Sequence, residues 1–194
     1  GAFALIVLFQ DEIRRFFSNI GSRRERGFFS KIKKFFGESQ AEKQEKDLDL
    51  LQVVLACRNM SKTNTGSLIV FSRNNNLDNY VQSGELLDSR INSRLIESIF
   101  FKNGPLHDGA IIISGHTLKA AACILPVSQN QSIPKRLGLR HRAALGITEH
   151  TDAVAIVVSE ETGHISWAVN GKLNVNVKPE ELEHFLNTQL LDNN

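Results

Sequence analysis

Apolar and polar residues along this chain follow two periods, and the switches between them mark most of the predicted elements. Leu48, Leu51, Val54 and Leu55 recur at helical spacing, with Asp47 or Asp49 placed to cap, so a helix is predicted to open the domain proper. The segment 67–72, apolar from Leu68 to Phe71, reads as a buried strand, and Arg73-Asn74-Asn75-Asn76 after it as a polar turn. Residues 91–101 return to helical spacing, with Ile91, Leu95, Ile99 and Phe100 inward, and Gly104-Pro105 stop them. Strands at 110–113 and 118–125 flank a Ser114-Gly115 turn and end at Pro126. A helix is predicted over 140–147. Three strands follow at 153–158, 165–169 and 173–177, the last two joined by Asn170-Gly171, a strong hairpin signal. Pro179 opens a final helix through Leu190, with Glu180 and Glu181 in its first turn, where carboxylates suit the helix dipole. The sum is an α/β fold, one domain over 47–194 with a mixed central sheet flanked by helices.

The length of 194 residues leaves room for that domain and an appendage. The net charge of +2 conceals an asymmetry. Residues 1–46 hold Arg14, Arg15, Arg23, Arg24, Arg26, Lys31, Lys33 and Lys34, interleaved with Phe16, Phe17, Phe28, Phe29, Phe35 and Phe36. Such a segment suits an anionic membrane surface, since the phenylalanine pairs want an apolar layer; a nucleic-acid arm is the competing reading. The apolar run at 2–9 is far shorter than the roughly 20 residues needed to cross a bilayer. It fits the last turns of a membrane helix or an amphipathic helix packed on its own domain. Residues 37–46 turn to Glu, Gln, Ser and Lys without apolar periodicity and read as a solvated linker. Cys57 and Cys123 are far apart in apolar segments, which suggests reduced thiols and no disulfide framework. The six histidines form no zinc spacing.

Candidate chemistry concentrates in three strings. Gly138-Leu139-Arg140-His141-Arg142-Ala143-Ala144 places two guanidiniums and an imidazole at a helix start, a cradle for phosphate oxygens. His107-Asp108-Gly109-Ala110 leads into a strand, with a carboxylate beside a residue that has no side chain and a neutral nitrogen ligand before it. Ser159-Glu160-Glu161-Thr162-Gly163 follows another strand. Both carboxylate strings sit where a buried strand meets a loop, a usual place for chemistry in open α/β sheets. Oxygen and imidazole donors together suit Mg²⁺ or Mn²⁺. Ile124 and Leu125 are candidate base contacts, and Ser128 is a candidate phosphate contact.

The three strings, in this order and spacing, resemble the diadenylate cyclase family, the DAC domain. The resemblance runs from about Leu48 to about Leu190, and Phe9-Gln10-Asp11-Glu12-Ile13-Arg14-Arg15 is similar to the membrane-proximal segment of the family's membrane-anchored branch. It implies condensation of two ATP into cyclic di-AMP with release of two pyrophosphates, in a face-to-face homodimer with a divalent metal. It also implies transmembrane helices ahead of the domain in the complete protein, and a place at the cytoplasmic face of the bacterial membrane. By the same resemblance Asp108 lies near the ribose 3′-hydroxyl and helps activate it, and His107, Asp108 and Glu161 hold the metal. Asp108, Arg140 and His141 are then the catalytic set. ATP contacts fall to Gly109, Ala110, Ile124, Leu125, Ser128, Gly138, Leu139, Arg140, His141, Arg142 and Glu160. Two positions depart from the family pattern: Leu139 stands where Thr is common and Ile124 where Tyr is frequent. They keep open a second reading, a nucleotide-binding sensor without turnover. A membrane-tethered nucleic-acid binder is a third, and the carboxylates around the site argue against it.

Overall fold

The computed structural model describes residues 40–130, 133–134 and 137–190. The basic and aromatic segment through residue 39 lies outside them. A compact unit spans Lys43–Asn194. Its elements in chain order are α1 (Gln40–Lys62), β1 (Ser67–Ser72), α2 (Asp78–Val81), β2 (Glu85–Arg90), α3 (Ser93–Ile99), β3 (Ala110–Ser114), β4 (Thr117–Cys123), α4 (Leu139–His150), β5 (Val154–Val158), β6 (Ile165–Val169), β7 (Lys172–Val177) and α5 (Pro179–Leu190).

The seven strands form one sheet in the order β2-β4-β3-β1-β5-β6-β7. Only β1 and β3 run parallel; every other neighbouring pair is antiparallel. Both faces of the centre are covered, which explains why its strands read as unbroken apolar runs. Alternate residues feed two cores. Ile69, Phe71, Ile111, Ile113, Val154, Ile156 and Val158 pack with α1, α3 and α5, whereas Leu68, Val70, Ile112, Ala155 and Val157 pack under α4. The mixed sheet flanked by helices is therefore the fold expected.

Several local expectations are corrected. Helix α1 begins at Gln40, inside the stretch read as linker, so Asp47 and Asp49 are interior residues and not caps. The Asp49 carboxylate instead pairs with His116 Nδ1 at 2.7 Å, tying α1 to the β3–β4 turn. The buried face of α1 is Leu50, Val53, Val54, Cys57 and Met60, each large side chain contributing about 1.5–3 kcal/mol of burial, while Leu48, Leu51 and Leu55 are exposed. In α3 the inward residues are Ile96 and Ile99, with Leu95 only half-buried. Strand β2 and the short α2 were not predicted. β2 is a polar edge strand carrying a bulge between Leu86 and Ser89, so it has neither alternation nor an apolar run. Strand β4 ends at Cys123 rather than Leu125, and its register to β3 shifts twice. Burial holds the thiols protonated, Cys57 pushed up to about 12 and Cys123 to about 11.

Candidate nucleotide site

Because β5 runs antiparallel to β1, its carboxyl end lies beside the amino ends of the parallel pair β1 and β3. A cleft of about 420 Å³ opens there, within the usual range for small-molecule sites. Its walls are His107, Asp108, Gly138, Leu139, Arg140, His141, Val157, Val158, Ser159, Glu160 and Glu161. The three strings thus meet in one place. That place is at the amino ends of the parallel strands, opposite to the usual rule for parallel sheets.

Asp108 is presented just ahead of β3, near a bulge in β4 between the pairs Ala110–Cys123 and Ile112–Ala120. Gly109 has φ +101, and a Cβ there would lie 2.8 Å from the Ala122 carbonyl carbon and 2.8 Å from the Cys123 oxygen. Opposite it Ala122 also takes a positive φ of 54. The missing side chain at Gly109 therefore admits the β4 backbone rather than a ribose, and the tight crossing leaves Asp108 exposed at the mouth of the cleft. His107 Nδ1 meets the Gly104 carbonyl. A carbonyl only accepts, so in the neutral ring Nδ1 carries the hydrogen and Nε2 keeps its lone pair, the arrangement that suits a metal ligand.

The carboxylate turn after β5 is built by Ser159. Its Oγ accepts from Glu161 N and Thr162 N, each at 3.3 Å, and the turn closes through Gly163 N to Ser159 O at 2.9 Å. Ser61 Oγ donates to Gly163 O at 2.6 Å, anchoring the turn to the end of α1. Glu160 and Glu161 are exposed on this rigid support.

Gly138, with φ −71, is the N-cap residue of helix α4 and gives no side-chain cap, and a Cβ there would meet nothing within 4 Å. The helix end thus faces open space, and neither conformation nor crowding demands glycine at 138. Arg140 reaches across the cleft: Nη1 donates to Glu160 Oε2 at 2.8 Å. Its Nε is buried without a hydrogen-bond partner among the described residues, a costly state for a charged group. His141 turns inward. Burial pushes its pKa below the ordinary 6.5, and Nε2 lies 3.4 Å from Ser166 Oγ, so it enters the site as a neutral ring and adds no charge to the cradle.

Other expected ATP contacts lie outside the cleft walls. Ala110 and Leu125 are core residues. Ser128 Oγ donates to Glu149 Oε1 at 2.6 Å, and its backbone N–H donates to Arg142 O at 3.0 Å, which staples the segment after β4 to α4. Arg142 is half-buried away from the cleft lining. Ile124 is 73% exposed, with its backbone N–H donated to Ser83 Oγ. Leu139, 75% exposed, is the apolar side chain at the cleft mouth. Sequence reasoning missed Gly66, which lies against both Arg140 and Glu160. No local motif marks it.

No three His, Cys, Asp or Glu side chains among the described residues gather into a metal-binding group. The donors present still fit a hard divalent cation that keeps most of its shell in substrate phosphates and water, since Mg²⁺-type sites often take only one or two protein carboxylates.

Residues 54–173 match the DAC family model, described as DisA bacterial checkpoint controller nucleotide-binding. The chain is 39% identical to the cyclic di-AMP synthase CdaA of Bacillus subtilis over 193 residues, covering 100% of this chain and 67% of that protein. It is 41% identical to a diadenylate cyclase of Listeria monocytogenes over 191 residues, 98% of this chain and 67% of that one. A crystal structure of a double mutant of DacA from Staphylococcus aureus superposes with a TM-score of 0.75 at 41% identity, covering 76% of this chain and 99% of that one. A hypothetical membrane spanning protein from Bacillus cereus gives a TM-score of 0.63 at 40% identity, over 66% of this chain and 62% of that one. With the family's domain lying across the three strings that form the cleft, and likeness extending over the whole chain, this protein belongs to the DAC family, the diadenylate cyclases.

Proposed function

We propose that the cleft binds one ATP and that two copies of the domain, with clefts apposed, join two ATP molecules into cyclic di-AMP. In each half-reaction a ribose 3′-oxygen attacks the α-phosphorus of the facing nucleotide. The bond to the bridging oxygen breaks, pyrophosphate leaves, and the hydroxyl proton passes to the Asp108 carboxylate and then to water. Two such steps close the ring and release two pyrophosphates. A two-fold dimer is required because one cleft of about 420 Å³ presents only one Arg140 and one Asp108.

The observation that carries this reading is the convergence of Asp108, Arg140 and the Glu160–Glu161 turn on one cleft from three separate parts of the chain. Arg140, a wall of the cleft, supplies fixed charge to the phosphates. Asp108, exposed at the mouth, is placed for the hydroxyl of the opposing nucleotide. His141 orients as a neutral ring at the floor, and Leu139 offers the base an aliphatic face. One or two of the side chains His107, Asp108 and Glu161 would hold Mn²⁺ or Mg²⁺, with phosphate oxygens and water completing its shell. A bound cation of this kind neutralises charge developing on the phosphates.

The sequence of residues 1–46 further supports attachment at the cytoplasmic face of a bacterial membrane, although no helix among the described residues is long and apolar enough to cross one. The test is incubation of the chain with ATP and Mg²⁺ or Mn²⁺, with products resolved by ion exchange and mass spectrometry beside Asp108→Asn. Cyclic di-AMP that disappears in the variant, while ATP still binds, supports the assignment. ATP binding without product at high protein concentration with either metal refutes it in favour of a sensor.

A further inference from the structure

We propose that Gly66 is a positioning residue for Arg140, giving up its side chain so that the Arg140–Glu160 pair fits across the cleft floor. The inference rests on the reading of Arg140 as the phosphate-binding group, which it deepens by naming what places that group.

Gly66 is buried just ahead of β1, whose first residue Ser67 pairs with Val158 at the end of β5. Its φ lies outside the left-handed region, so its backbone is open to any residue. Space is what excludes a side chain. A Cβ at this position would stand 2.8 Å from Arg140 Nη1, 2.9 Å from Glu160 Cβ and 3.0 Å from Glu160 Oε2. Distances this short force something to move. Among the described residues the guanidinium makes one hydrogen bond, Nη1 to Glu160 at 2.8 Å, and its buried Nε has no partner, so the space left by the missing side chain at Gly66 is what lets the pair keep this position. Alanine at 66 would drive the guanidinium and the carboxylate turn apart. The strand beneath would stay in place, because Ser67 through Phe71 keep their pairing to β5.

The experiment is a double-mutant cycle of Gly66→Ala and Glu160→Gly, read two ways: by the Kd for a non-hydrolysable ATP analogue and by urea unfolding. Glu160→Gly removes two of the three crowded atoms and leaves only the movable end of Arg140. In the otherwise native chain, Gly66→Ala should weaken the analogue by about ten-fold or more, the scale of one charge-assisted hydrogen bond. In the Glu160→Gly background the same change should cost less than about three-fold, and the unfolding cycle should show matching non-additivity. Equal losses in both backgrounds, or no loss in either, overturn the proposal. A wild-type chain that binds no analogue would refute the nucleotide reading instead, and the unfolding cycle alone then decides whether Gly66 acts through the pair: additive unfolding energies overturn it.

Discussion

Substituting Gly109 by alanine tests how Asp108 is presented. Two costs add at this position. A φ of +101 lies beyond even the left-handed helical region, and holding an L-residue there costs about 1–3 kcal/mol. The new Cβ would also stand 2.8 Å from two backbone atoms of β4, which cannot swing aside as a side chain can, adding about 1–3 kcal/mol of overpacking. The sum, about 2–6 kcal/mol, is a large share of the roughly 5–15 kcal/mol that holds a domain folded. Gly115 is the internal control, since its φ is +58 and a Cβ there meets nothing within 4 Å. Gly115→Ala should therefore cost only the left-handed penalty, about 1–2 kcal/mol. Urea unfolding followed by far-ultraviolet circular dichroism measures both, and heating should show the difference as about 2–4 °C for each kcal/mol. If Gly109→Ala costs no more than Gly115→Ala, the close crossing of β3 and β4 is not what fixes this bend.

Arg140→Ala should weaken an ATP analogue by about ten- to a hundred-fold, the worth of charge-assisted bonds to phosphate, and titration calorimetry would expose an unchanged Kd as the contrary result. Ser159→Ala removes the acceptor for Glu161 N and Thr162 N and should cost about 1 kcal/mol, with cyclase activity falling further than stability; unchanged unfolding would contradict the turn's described support. His141 binds its proton less tightly folded than unfolded, so the unfolded state takes up more protons as pH falls below 6.5. Its contribution to stability is present above that value and is lost as pH falls toward the lowered folded one. The unfolding free energy should thus drop on acidification more steeply in the native chain than in His141→Gln. Parallel pH profiles would refute the burial argument.

The central strands and the hairpin at Asn170-Gly171 were legible because both faces of the sheet are covered and the turn chemistry is local; Asn170 and Gly171 indeed take positive φ values of 49 and 67. The face of α1 was not, because the helix carries apolar residues around much of its circumference. Leu48, Leu51 and Leu55 form as regular a stripe as Leu50, Val53 and Cys57, and only the packed sheet chooses between them. Strand β2 escaped because an edge strand with polar residues and a bulge carries no period. At the site, the three strings holding Asp108, Arg140, Glu160 and Glu161 were readable as local charged motifs, and the structure brings these four residues to one cleft. What they meet was not readable. The inward turn of His141, the capture of Ser128 by Glu149 and the contact of Gly66 with Arg140 all depend on residues 20 or more apart in sequence that the sheet order brings together.

The most direct test of the central claim is the product balance from ATP with Mn²⁺, counting cyclic di-AMP and pyrophosphate in the same reaction as protein concentration is raised. Two pyrophosphates are expected for each cyclic di-AMP, with a rate per chain that climbs with concentration until the dimer is full. Pyrophosphate or inorganic phosphate released without cyclic dinucleotide, or a rate per chain indifferent to dilution below the point where only monomer remains, would contradict it.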